Sequence, residues 1–176
     1  MNMKKIALVM AVGAAMSVGV VNAADQGHGT VTFVGSIIDA PCSITPDTID
    51  QTVNLGQISN KALVNSGKSN PRSFDIKLEN CDVSALKEKT VTTTFTGTES
   101  TALPGYLAIK GTASGASIAI TADDGKNIKL GDASPATKIQ DGNNTLRFAA
   151  YLQGNGASSV VPGEFTSVAN FTLAYQ

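Results

Sequence analysis

The chain has 176 residues, of which 15% are charged and 42% are apolar, with 13 basic and 14 acidic residues for a formal net charge of −1. One histidine, two cysteines and no tryptophan leave little material for metal clusters or for stacking on sugars and bases. The balanced charge offers no basic field to attract nucleic acid.

The first residues form an address. Lys4 and Lys5 give a positive start, Ile6 to Val21 is an apolar run, and Val21-Asn22-Ala23 supplies small residues for cleavage, so residues 1–23 are expected to be a secretory signal peptide. The run is shorter than the ~20 residues a spanning helix needs. Cleavage after Ala23 removes Lys4 and Lys5 and no acid, leaving 11 basic residues against 14 acidic ones, a net charge of −3. What remains suits one domain with a single core.

From Gly29 to Ile37 the pattern alternates. Val31, Phe33, Gly35 and Ile37 share one face and Thr30, Thr32 and Ser36 the other, with Val34 as the apolar exception. The strand pattern continues over Ile37 to Ile44 until Pro41, Pro46 and Asp47 bend or end it. Short runs rich in Val, Ile, Thr and aromatics then predict strands at Val53–Ile58, Ser73–Leu78, Val91–Thr96, Tyr106–Lys110, Ser117–Thr121, Lys126–Leu130, Thr145–Gln153 and Phe165–Tyr175. Asp123-Asp124-Gly125-Lys126 predicts a hairpin turn, and Asp141-Gly142-Asn143-Asn144 and Gly154-Asn155-Gly156 predict turns on either side of the strand that holds Phe148 and Tyr151. Val83 to Lys89 carries the one helix signal, enough for a turn or two. Many short strands with regular turn signals predict an all-β sandwich. In the last strand Phe165, Ala169, Phe171, Leu173 and Tyr175 share a face against Thr166, Asn170 and Thr172.

Cys42 and Cys81 both lie beyond the leader, and a lone pair in an exported chain predicts a structural disulfide. A metal site fails for want of ligands, and no cofactor is implied. Enzyme readings also fare badly. His28 alone would have to serve any Ser-His-Asp or Cys-His arrangement. Asp123 and Asp124 are adjacent in a turn, and the Gly111 to Gly115 stretch lacks the lysine and hydroxyl of a phosphate loop. We therefore expect no catalytic residues.

Four segments carry a resemblance. Asp39-Ala40-Pro41-Cys42-Ser43-Ile44, Asn54-Leu55-Gly56, Glu79-Asn80-Cys81-Asp82 and Val168 to Gln176 resemble pilins of the chaperone–usher pathway, closest to the major rod subunits of P pili and type 1 fimbriae. Gly163 stands fourteenth from the end and Tyr175 second, similar to the family's C-terminal signature of a glycine and a penultimate tyrosine bracketing alternating apolar residues. The resemblance implies an incomplete immunoglobulin-like sandwich lacking its last strand, with a donor-strand extension at its N-terminus. It divides the exported chain into an arm, residues 24–37, and a pilin domain, residues 38–176. Val31, Phe33, Gly35 and Ile37 would then be the donor residues. Gly163, Phe165, Ala169, Phe171, Leu173 and Tyr175 would form the acceptor groove and the surface recognised by chaperone and usher. The implied partners are neighbouring pilin subunits in a homopolymer, a periplasmic chaperone, an outer-membrane usher, and tip adhesin or adaptor subunits, with no nucleic acid. The implied destination is a cell-surface fimbria reached through the periplasm. A minor or adaptor subunit is the alternative within this class, and a secreted carbohydrate-binding sandwich the alternative outside it.

Overall fold

The structure is a computed structural model, described here for residues 27–156 and 160–176. The leader lies outside the described residues, as do residues 24–26 of the arm. The chain divides into two units, residues 1–37 and residues 38–176.

Residues 27–37 contain no strand, and every one of them is exposed. Phe33 is 90% and Ile37 104% accessible, and a Cβ added at Gly35 would meet nothing within 4 Å. The expected alternating strand is therefore absent. A strand is defined by the ladder it joins, and among the described residues no strand pairs with this stretch.

Residues 38–176 form a two-layered β-sandwich. The strands are β1 (Ser43–Ile44), β2 (Arg72–Cys81), β3 (Thr90–Gly97), β4 (Leu107–Ala108), β5 (Lys110–Gly111), β6 (Ala116–Ala122), β7 (Asn127–Ile128), β8 (Thr137–Lys138), β9 (Gly142–Gly154), β10 (Phe165–Thr166) and β11 (Ala169–Tyr175). The larger sheet runs β1-β2-β9-β6-β4, with β7 also paired to β6; the facing sheet runs β11-β3-β8, and β10 pairs with β5. All pairings are antiparallel.

Alternation builds the core. Ile76 and Leu78 of β2, Leu146 and Phe148 of β9, and Ile118 and Ile120 of β6 turn inward from the larger sheet, meeting Val91 and Phe95 of β3. Phe74, Phe95 and Phe148 lock the layers, with Phe95 edge-on to Phe148 at 5.1 Å between centroids. Cys42 and Cys81 are bonded, tying the approach to β1 to the end of β2, where the Asp82 N–H also donates to the Pro41 carbonyl at 2.9 Å.

The expected hairpin forms at Asp123 to Lys126. Gly125 takes φ +78°, the Gly125 N–H bonds the Ala122 carbonyl at 3.0 Å, and Asp124 accepts from the Lys126 N–H. Several expected strands change. Val53–Ile58 is not a strand, because Asn54 Oδ1 accepts the Gly56 N–H at 2.8 Å and Gly56 takes φ +77°, an Asx turn that breaks the run. Ile37–Ile44 keeps only its last two residues as β1, and a single helical turn, α1 (Pro46–Ile49), follows with Pro46 at its start. Val83–Lys89 makes no helix: the Leu86 N–H reaches Val83 O in one turn, and Lys89 at φ +50° redirects the chain into β3. Tyr106–Lys110 divides into β4 and β5, and Phe165–Tyr175 into β10 and β11, because the two parts of each run pair with different partners.

Candidate functional site

β11 is an edge strand. On one side it pairs along its whole length with β3, Ala169 opposite Gly97 through Tyr175 opposite Val91. Just beyond that register, Thr90 and Gln176 exchange both backbone hydrogen bonds, at 3.2 and 3.0 Å. Bonded pairs alternate with unbonded ones in an antiparallel ladder. Asn170, Thr172 and Ala174 therefore bond to β3, and Ala169, Phe171, Leu173 and Tyr175 turn their N–H and C=O groups the other way. β3 shows the matching parity: Thr93 and Phe95 bond Ser134 and Gly131 on its far side. Among the described residues no strand pairs with the outer edge of β11.

The same four residues turn their side chains toward the core. Phe171, Leu173 and Tyr175 pack against it yet remain only half buried, whereas their cross-strand partners Phe95, Thr93 and Val91 are fully buried. The difference measures what a further strand beside β11 would cover. Burial pushes the Tyr175 phenol above its ordinary value of 10.0. An unpaired backbone edge and an uncovered apolar row thus coincide on one strand, the combination that invites strand addition.

The remaining expected acceptor residues fall differently. Ala169 is on the correct parity but exposed. Its partner Gly97 has no room for a side chain, since a Cβ there would lie 2.7 Å from the Val168 carbonyl oxygen. Phe165 is half buried and packs on the core from β10, paired with Gly111. Gly163 lies apart from this row and is exposed. A Cβ at that position would collide with Thr112 Oγ1 and come 2.6 Å from the Ala113 nitrogen, so glycine permits a close crossing there, alongside the 3.0 Å bond from Glu164 N–H to Thr112 Oγ1. Sequence alternation also gave no hint of Leu55, Ile58 and Phe74 as apolar residues left partly exposed on the core.

The arm residues Val31, Phe33 and Ile37 expose large apolar side chains, with Val34 at 93%. No group of three or more His, Cys, Asp or Glu comes together among the described residues. Among them, no helix is long and apolar enough to cross a membrane.

These features define a class, the β-sandwich with one edge strand left open over a partly uncovered core. Residues 31–176 match the family model described as fimbrial protein, and the chain belongs to that family. It is 64% identical to the fimbria A protein of Serratia marcescens and 57% identical to the major MR/P fimbria protein of Proteus mirabilis, each over the full length of both chains. A solved chaperone–usher pilus matches 86% of this chain and 97% of its own at 38% identity, with a TM-score of 0.77.

Proposed function

We propose that the chain is the major structural subunit of a surface fimbria, polymerised head to tail by strand donation. In this reading residues 1–23 are removed on export, residues 24–37 are the donor arm, and residues 38–176 are the accepting domain. The arm of one subunit lies along β11 of the next, so that its backbone continues the ladder and Val31, Phe33 and Ile37 cover Phe171, Leu173 and Tyr175.

The observation that carries this reading is the coincidence on β11 of outward-facing backbone groups and half-buried apolar side chains. An arm with matching alternation on the same chain supports it. Burying three large arm side chains contributes roughly 5 to 9 kcal/mol, and each new backbone bond adds about 0.5 to 1.5 kcal/mol net. The contact uses different surfaces on the two subunits, so it does not close on itself and generates a fibre. A periplasmic chaperone covering the same edge before assembly, an outer-membrane usher, and adaptor or tip adhesin subunits complete the pathway that the pilin resemblance implies.

The test is to delete Ala24 to Ile37. The shortened subunit is expected to bind a synthetic peptide of those residues and to form no fibres in electron micrographs. Long fibres from the deleted chain would show that the arm is not the link.

A further inference from the structure

Beyond the open edge, the turn at the end of β9 carries chemistry that polymerisation does not use. Asn155-Gly156 follows β9, with Gly156 at φ +84°. In such a pair the backbone nitrogen of the second residue is unhindered by a Cβ and can attack the asparagine side-chain carbonyl. The structure holds that carboxamide in place. Ser117 Oγ donates to Asn155 Oδ1 at 2.9 Å, and the Asn155 N–H donates to the Gly115 carbonyl at 3.0 Å. Ser117 is wholly buried, and its hydroxyl lies 2.7 Å from that of Ser100, which in turn accepts the Leu103 N–H at 3.2 Å. Ser117 has a single proton and gives it to Asn155, so Ser100 supplies the proton between the two hydroxyls. A polar chain thus runs from Leu103 through Ser100 and Ser117 to the Asn155 side chain.

We propose that Asn155 is a deamidation site that the fold guards through Ser117. In the reaction Gly156 N attacks Asn155 Cγ, a C–N bond closes a five-membered succinimide, and ammonia leaves with the proton lost from Gly156 N. Water then opens the ring at either carbonyl, giving aspartate or its β-linked isomer. The attack requires the carboxamide to swing toward Gly156 N, and the bond from buried Ser117 opposes that swing. The β-linked product adds a methylene to the main chain next to the Asn155–Gly115 bond, so modification loosens the end of β9. Subunits that linger unfolded before assembly would accumulate the change, and folded ones would be spared.

Peptide mapping by mass spectrometry tests this on the mature chain incubated at alkaline pH, either folded or denatured and reduced. The expected result is conversion at Asn155 in the denatured chain, slow conversion in the folded one, and a several-fold faster folded-state rate in Ser117→Ala. Ser100→Ala, which leaves the Ser117–Asn155 bond but removes its support, is expected to give a smaller acceleration and serves if Ser117→Ala does not fold. An intact Asn155 in the denatured chain would overturn the site. A folded Ser117→Ala, or in its place a folded Ser100→Ala, that reacts no faster than the parent would overturn the guard.

Discussion

Replacing Gly35 with valine tests the seating of the arm most directly. Four arm residues, Val31, Phe33, Gly35 and Ile37, share the inward parity, and four β11 residues, Ala169, Phe171, Leu173 and Tyr175, share the facing one. Run antiparallel, the overlap that pairs all four sets Gly35 against Phe171, Phe33 against Leu173 and Val31 against Tyr175. Run parallel, it sets Gly35 against Leu173. In either direction glycine lies where a large acceptor side chain already stands, and a valine there overpacks the contact by about 1 to 3 kcal/mol, a loss of roughly 5- to 150-fold in affinity. The lone subunit is indifferent, because a Cβ at Gly35 meets nothing within 4 Å. Valine is moreover a better strand former than glycine, so any loss is steric. The assay is binding of wild-type and Gly35→Val arm peptides to the arm-deleted subunit, then to Phe171→Ala and Leu173→Ala. Rescue by Phe171→Ala indicates antiparallel seating and rescue by Leu173→Ala parallel seating. A valine peptide that binds the unmodified subunit as well as the parent peptide does would refute the pairing.

Other consequences concern the domain itself. Replacing Cys42 and Cys81 together with alanine opens a link between positions 39 apart and is expected to cost about 3 to 4 kcal/mol, read as a lower urea midpoint; an unchanged midpoint would contradict it. Gly163→Ala is expected to destabilise the domain by about 1 to 3 kcal/mol, since the added methyl meets Thr112 and Ala113, and a urea midpoint equal to the parent's would remove the close-crossing explanation. The Tyr175 phenol is raised by burial, so the stability it carries is full below the ordinary value of 10.0 and falls as pH climbs through its higher folded value. Tyr175→Phe is therefore expected to lessen the alkaline loss of stability, and identical alkaline profiles would show that this ring is not responsible.

Strand positions with a buried inner face were legible in the sequence. Ser73–Leu78, Val91–Thr96, Ser117–Thr121 and Thr145–Gln153 all lie inside observed strands, because a period of two with β-branched residues marks a half-buried ladder. The misses have two causes, one local and one long-range. Val53–Ile58 has strand composition, but one Asx turn at Asn54 overrides it. The run from Phe165 to Tyr175 alternates except at Ser167 and Val168, where the chain passes from β10 to β11, and which strands the two parts bond to leaves no trace in alternation. The half-buried row of Phe171, Leu173 and Tyr175 on β11 was legible for the same reason as the core. Gly163 was singled out, but the contact with Thr112 that explains it joins residues about fifty positions apart, which local pattern does not reveal.

An edge strand facing a half-covered core ties stability to assembly. The apolar row on β11 is left partly in water, so folding of the lone domain forgoes the stabilisation that its missing neighbour would supply. An arm that binds the folded domain and not the unfolded one returns it by mass action, raising stability with the logarithm of arm concentration over its dissociation constant. In the proposed fibre the arm of one subunit covers the edge of the next, so each link would contribute to the stability of the domain that receives it. In that reading the exposed apolar side chains of the arm and the uncovered edge are two halves of one device. A domain completed by its own sequence would gain stability alone and lose the open edge on which the proposed reading adds a second copy.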